Sequence, residues 1–130
     1  MEFRVENKED YYLTIKDMYE SHKFPVLSVD NLPEDIYVVS KEERDIYAIP
    51  VYKTNSSLCW LAFPVSDGNL DVKFKEDALD KLLVYITESL KEEGYNIIFT
   101  TSGIPYLENK FIKAGYSFGD TNINQYFKQL

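Results

Sequence analysis

Cysteine is nearly absent from this chain of 130 residues: Cys59 stands alone, so no internal disulfide and no cysteine-based zinc site can form, as suits a reducing compartment. Histidine is equally scarce, and a single His22 rules out multi-histidine metal sites. Glycine and proline number five each, and no Gly/Ser/Pro-rich linker, repeat or low-complexity tract interrupts the chain. No apolar run approaches the roughly 20 residues of a membrane helix, and Met1-Glu2-Phe3-Arg4 opens no signal segment. Positive charge is in deficit, with 14 basic against 22 acidic residues and a net charge of −8. Such a field repels phosphate backbones and anionic lipid, which argues against nucleic acid and membrane as partners. These absences predict a soluble, unsecreted protein of the cytoplasm.

What is present suits one compact domain over residues 1–130. A composition 45% hydrophobic and 28% charged supports a single α/β core, and a second core would need more chain. Aromatic residues reach 15%, with eleven tyrosines. Tyr11 and Tyr12 can stack on bases or sugars, but rings spread evenly along a chain belong to the core and to half-buried strands. Between Asp30 and Asp45, six acids (Asp30, Glu34, Asp35, Glu42, Glu43, Asp45) face two bases (Lys41, Arg44). This reads as a solvated edge and turn, with a patch for a basic partner as the alternative.

The chain alternates between strand and helix patterns. Phe3 to Glu6 reads as a short strand, after which Asn7 caps a helix whose first turn holds Glu9 and Asp10, favourable to the helix dipole. Tyr11, Ile15, Met18 and His22 recur at helical spacing as its inner face. Ile36–Val39, Ile46–Ile49 and Leu58–Phe63 are β-rich runs separated by polar turns, which predicts an antiparallel meander. Pro50 cannot donate to a ladder and implies an edge or a bulge. From Glu76 to Glu93, the stripe Leu79, Leu82, Leu83, Ile86 and Leu90 predicts a long helix closed by Gly94. Tyr95–Thr101 follows as a strand. A shorter helix runs from Pro105 to Ala114, with proline at its start and Gly115 past its end. Tyr116–Phe118 and Asn122–Leu130 read as two closing strands around a turn at Gly119-Asp120.

This order of elements resembles the GNAT superfamily of N-acetyltransferases over nearly the whole chain. The stretch from Ala78 to Gly119 carries the similarity most specifically: Leu82-Leu83 to Glu93-Gly94-Tyr95, then Ile97-Ile98-Phe99-Thr100, then Phe111-Ile112-Lys113-Ala114-Gly115-Tyr116. The resemblance implies an α/β fold with a mixed, mostly antiparallel central sheet and helices on both faces. It also implies acetyl-coenzyme A held where the fourth strand, Leu58–Val65, and the fifth, Tyr95–Thr101, splay apart. Candidate cleft residues are then Phe63, Val65, Lys73, Lys75, Thr101, Ser102 and Phe111.

The family's functional motifs are missing. Its diphosphate loop, Gln/Arg-x-x-Gly-x-Gly/Ala at the start of the long helix, works because free N–H groups and the helix dipole bind anions. Here that stretch, Ser66 to Ala78, has one glycine, Gly68, far from the helix, and Glu76 and Asp77 fall in the expected first turn. Lys73 and Lys75 read as solvated lysines, with a phosphate clamp as the alternative. The family's general-acid tyrosine, in Leu-Tyr-x-Lys-x-Gly-Phe, falls on Phe111, and the usual asparagine of this motif falls on Ile104. Tyr106 points to another helical face. Leu58–Val65 contains no acid to serve as a base, and Asp67, the nearest, reads as a turn residue beside Gly68.

Other chemistries are no better supplied. Cys59, between Leu58 and Trp60, reads as an inert core residue, because reactivity needs an electropositive, partly exposed site. His22, at a helix end, reads as a partner for the last helix carbonyls. Thr100-Thr101-Ser102-Gly103 can bind an anion or simply satisfy a turn. The expected function is a catalytically silent GNAT-like module, a pseudoenzyme that contacts a protein partner in an assembly or as an inhibitor and needs no cofactor. Resemblance to short GNAT-like chains of tailed phages would place it in a virion or the host cytoplasm. The alternative is an active N-acetyltransferase using acetyl-coenzyme A.

Overall fold

A computed structural model describes all 130 residues. The elements are β1 (Glu2–Asn7), α1 (Lys8–Ser21), β2 (Asp35–Lys41), β3 (Arg44–Lys53), β4 (Leu58–Leu61), β5 (Val65–Ser66), α2 (Ala78–Glu92), β6 (Ile97–Thr100) and α3 (Pro105–Lys113), with a short 3-10 turn at Val29–Asn31. The sheet has six strands in the order β1-β2-β3-β4-β6, with β5 paired to β3. All pairings are antiparallel except β4 with β6, where Leu58 faces Ile97 and Leu61 faces Thr100 in parallel register. The chain therefore has the mixed, mostly antiparallel α/β architecture that the resemblance implies, and β4 and β6, where the fourth and fifth strands of that resemblance were expected, are parallel neighbours connected through α2.

Local chemistry sets the element ends. Asn7 finishes β1 and caps α1, its side-chain oxygen accepting from the Glu9 N–H at 2.8 Å. Gly94 after α2 and Gly115 after α3 both take φ near +96°, the left-handed turn that glycine adopts without strain. Pro105 opens α3, where its missing N–H costs nothing.

Two clusters bury the sheet. Tyr11, Ile15, Met18 and Tyr19 of α1 pack on Ile36, Val38, Ala48 and Val65 from one face. Leu79, Leu82, Leu83, Ile86 and Leu90 of α2 pack on Tyr37, Val39 and Ile49 from the other. Because both faces of β2 and β3 are covered, these strands read as unbroken apolar runs rather than alternations. The α1 cluster contains no residue of β4 or β6. Trp60 and Phe99, register partners stacked at 5.8 Å, therefore stay open on that side.

Three expectations are corrected. Tyr116–Phe118 and Asn122–Leu130 form no strands: Asn122 takes a left-handed φ of 57°, which breaks the extended run, and the tail finds no ladder on the sheet. The fourth strand is not continuous from Leu58 to Val65 but divides into β4 and β5. Glu76 and Asp77 precede the long helix instead of filling its first turn, since α2 begins at Ala78 after Asp77 turns left-handed at φ 65°. No helix is long and apolar enough to cross a membrane.

Candidate functional site

The division of the fourth strand follows from Pro50. Val51 faces Leu61 and Ala48 faces Val65, so Ile49 and Pro50 oppose three residues, Ala62, Phe63 and Pro64. One extra residue on one strand is a β-bulge, and a proline without an N–H, in a strand flanked on both sides, is where the ladder can yield. Phe63 absorbs the kink with φ 56°, a conformation that costs a bulky residue roughly 1–2 kcal/mol. The Tyr19 hydroxyl holds it there by donating to the Phe63 carbonyl at 2.6 Å. Burial pushes the Tyr19 hydroxyl pKa well above its ordinary value.

Beyond the bulge the two parallel strands part. The β4–β6 ladder ends at Leu61 and Thr100, where the Thr100 hydroxyl donates to the Leu61 carbonyl at 3.0 Å, and β5 continues along β3 alone. The parallel ladder therefore ends at the place where the resemblance implies a cleft.

At the end of β5, Ser66 is buried and approached from several elements. His22 Nε2 lies 3.0 Å from the Ser66 carbonyl oxygen and 3.1 Å from its Oγ. A carbonyl only accepts, so the Nε2 proton points to Ser66, and this nitrogen cannot act as base toward the serine hydroxyl. The ring thus ties α1 to β5, which corrects the expectation that it serves the last α1 carbonyls; only the His22 backbone N–H does so, bonding to Tyr19 at 3.1 Å. Lys75 Nζ reaches Ser66 Oγ at 3.5 Å and the Asp67 carbonyl at 3.4 Å. Tyr47, the register partner of Ser66, has its hydroxyl beside Tyr106 of α3; burial first, then that neighbour, push its pKa well up.

The loop from Asp67 to Asp77 turns its main chain inward. Gly68 donates to Ser21 Oγ at 2.9 Å, and a Cβ there would stand 2.7 Å from that oxygen, so only glycine allows the approach. Asp67 N–H bonds to Ile46, and the Asp67 carboxylate accepts from Asn69 at 2.9 Å, making it the turn residue that the sequence predicts. Leu70, Lys73, Phe74, Lys75, Glu76 and Ala78 likewise donate to partners within residues 67–75. Asp71, Val72 and Asp77 alone keep uncommitted N–H groups in the loop. In the first turn of α2, Asp80 binds Lys110 at 2.8 Å and Lys113 at 3.5 Å. Burial pushes the Asp80 carboxyl up, but the Lys110 hydrogen bond and charge outweigh it and hold the pKa below the usual range. Most of the loop's N–H groups are thus bonded within the protein, the first-turn N–H groups of Leu79 and Asp80 have no acceptor, and the Asp80 carboxylate sits in that same turn, bound by Lys110 and Lys113.

The candidate cleft residues separate accordingly. Phe63 is exposed on the bulge, and Lys75 joins the Ser66 cluster. Val65 is buried against α1, and Phe111 is buried beneath Tyr116 with ring centroids 5.2 Å apart. The Lys73 side chain is exposed while its N–H bonds to the Asp71 carboxylate at 3.0 Å. Thr101 Oγ1 accepts from Gln125 at 3.3 Å, and Ser102 Oγ accepts from the Ile104 N–H at 3.1 Å as a turn cap. Sequence reasoning passed over Ser66 and Tyr47 and set Tyr106 aside as facing another side of its helix; the position of Ser66 just before Asp67-Gly68, at a strand end, is the one local signal for the cluster. Cys59 is fully buried, and burial pushes its thiol up, as an inert core cysteine requires.

No protein-family model and no curated protein matches the chain. Solved structures do. An aminoglycoside acetyltransferase from an uncultured soil metagenomic sample, seen in complex with sisomicin, is similar at a TM-score of 0.75 and 12% identity, over 99% of this chain and 96% of that one. A Trypanosoma brucei acetyltransferase is similar at 0.60 and 12%, over 97% and 99%. A Thermus thermophilus protein is similar at 0.67 and 15%, over 100% and 99%. At such identities the likeness is one of fold: the chain has the GNAT-like fold over its full length.

Proposed function

We propose that this chain is a catalytically silent GNAT-fold module that acts by binding a protein partner and whose acetyl-coenzyme A site is degenerate. The observation that supports this reading is the loop between β5 and α2, whose N–H groups, apart from those of Asp71, Val72 and Asp77, are already bonded within the loop or to Ser21 and Ile46, where a diphosphate needs a row of free donors. The groups for chemistry point the same way. Phe111, at the position of the family's acid, has no proton and is buried. Tyr47 holds its proton more tightly than an ordinary tyrosine, the wrong direction for protonating a thiolate. No acid lies between Leu58 and Ser66 to serve as base. One observation favours the second reading, an active N-acetyltransferase: the strands part beyond Leu61 and Thr100, as an acyl-cofactor cleft requires.

Melting in the presence of acetyl-coenzyme A separates the two. A ligand at about 100 times its dissociation constant adds ~2.7 kcal/mol of stability by mass action, a rise of roughly 8 °C for a domain of this size. The silent module shows a far smaller rise at millimolar ligand and no acetyl transfer to amines. A full shift together with acetyl transfer would promote the enzyme.

A further inference from the structure

A cavity of about 520 Å³ lies away from the parted strands, walled by β1, one face of α1, the β2–β3 turn and the start of the β5–α2 loop. None of its residues belongs to β4, β6 or α3. Thr14, Asp17 and Met18 recur at helical spacing and form the α1 wall, where buried Met18 is the one apolar side chain of the lining.

Two departures from regular structure shape the opposite wall. The β2–β3 register shifts by one residue between Val39 and Ser40, so Ile46 and Tyr47 both enter the α2 cluster and Asp45 turns to the α1 side. There its carboxylate accepts from Arg4 Nη2 at 2.9 and 3.0 Å and from the Tyr11 hydroxyl at 2.7 Å. Glu42 and Glu43 take left-handed φ of 52° and 62°, a two-residue turn that Asn-Gly makes without strain, and Glu43 joins the lining. Backbone strain of this kind gathers at ligand sites.

Charges of both signs line this space without meeting. None of the molecule's ion pairs involves Asp17, Glu43, Asp67 or Arg44. Asp67 uses one carboxylate oxygen on the Asn69 N–H, and the Arg44 guanidinium rests on the Phe74 ring, 5.8 Å from its centroid. Arg4 binds Glu6 through Nε and Asp45 through Nη2, which leaves its Nη1 donors unused. A plain anion would face three carboxylates with oxygens to spare, and a metal ion finds no group of three ligands able to hold it. The complement is one molecule with an anionic end for the arginines and separate cationic groups for the acids.

We propose that this cavity binds a free basic α-amino acid, its carboxylate held by Arg44 and Arg4 and its cationic groups by Asp17, Glu43 and Asp67. The surplus of acids over arginines sets a ligand of net positive charge, and the volume is that of a small-molecule site. The inference goes beyond the silent-module reading and stands whether or not the chain binds acetyl-coenzyme A, since the lining takes nothing from the parted strands.

Isothermal titration calorimetry of the full chain with L-lysine and L-arginine tests this, beside L-glutamate and cadaverine, a diamine without the carboxylate. The basic amino acids bind at millimolar concentration or below, cadaverine binds roughly 10-fold more weakly, as the loss of one charged pair requires, and glutamate does not bind. Asp17→Asn and Glu43→Gln each weaken L-lysine by roughly 10-fold or more. Glu88→Gln, an exposed acid of α2 outside the cavity, leaves its affinity unchanged and so separates a site from attraction to a net charge of −8. Arg44→Gln weakens L-lysine without weakening cadaverine. Circular dichroism and melting check the fold of each variant, and the ligand series on the unmodified chain needs no variant. The proposal is overturned if neither basic amino acid binds, if cadaverine or glutamate binds as tightly as L-lysine, or if Asp17→Asn and Glu43→Gln leave the L-lysine affinity unchanged.

Discussion

The hydroxyl of Tyr19 in α1 holds the carbonyl of Phe63 at 2.6 Å, and through it a helix on one face of the sheet supports the one left-handed residue in the fourth strand. Two costs are coupled here, a buried phenol that needs an acceptor and a backbone conformation that a phenylalanine disfavours.

Removing the hydroxyl separates those costs. Tyr19→Phe should lower the unfolding free energy by about 1–2 kcal/mol, since the Phe63 carbonyl loses its donor. Phe63→Asn should be neutral or stabilise by up to ~1 kcal/mol, because asparagine tolerates the left-handed region. Urea unfolding of both variants checks the pair. A loss in Phe63→Asn as large as that in Tyr19→Phe would show that the ring's packing, and not backbone strain, dominates at the bulge.

The Asp80 pair predicts a pH dependence with a definite sign. Because the folded-state pKa is held below the unfolded value, the contribution is complete above about pH 4 and fades as pH falls through the folded pKa. Asp80 and Lys110 are about a fifth exposed, so solvent screening limits the contribution to on the order of 1 kcal/mol. Asp80→Asn should cost about that at pH 7 and nothing at low pH, where the native aspartate is itself neutral. Parallel denaturation curves for the two proteins across this range would sink the assignment.

Gly68 predicts a coupled pair of substitutions. Gly68→Ala forces a Cβ to 2.7 Å from Ser21 Oγ and should cost about 1–3 kcal/mol, as overpacking does. Ser21→Ala removes that oxygen, so the double variant should be less destabilised than the sum of the singles, by roughly 0.5 kcal/mol or more. Additive losses in thermal unfolding would mean that the neighbouring Ser21 backbone oxygen at 3.1 Å, not the hydroxyl, sets the limit.

Much of this molecule is determined within short windows of sequence. The Leu79 to Leu90 stripe, the Asn7 cap, the glycines after α2 and α3 and the three β-rich runs each depend on spacing or conformation over a turn or a strand, so the residues alone specify them. They also sufficed for the order of elements from β1 to α3, apart from the division of the fourth strand, and the resemblance resting on that order implied the fold. Pro50 announced an irregularity, but which strand would yield, and that Phe63 would absorb the extra residue, depended on the register between segments a dozen residues apart. The site was decided almost wholly by tertiary structure. His22 meets Ser66 across 44 residues, Lys110 meets Asp80 across 30, and Gly68 meets Ser21 across 47; local periodicity carries no information about such pairs. The tail shows the same limit from the other side. Its residues read as a strand, but a strand needs a hydrogen-bonded neighbour, and the tail forms no ladder with the sheet.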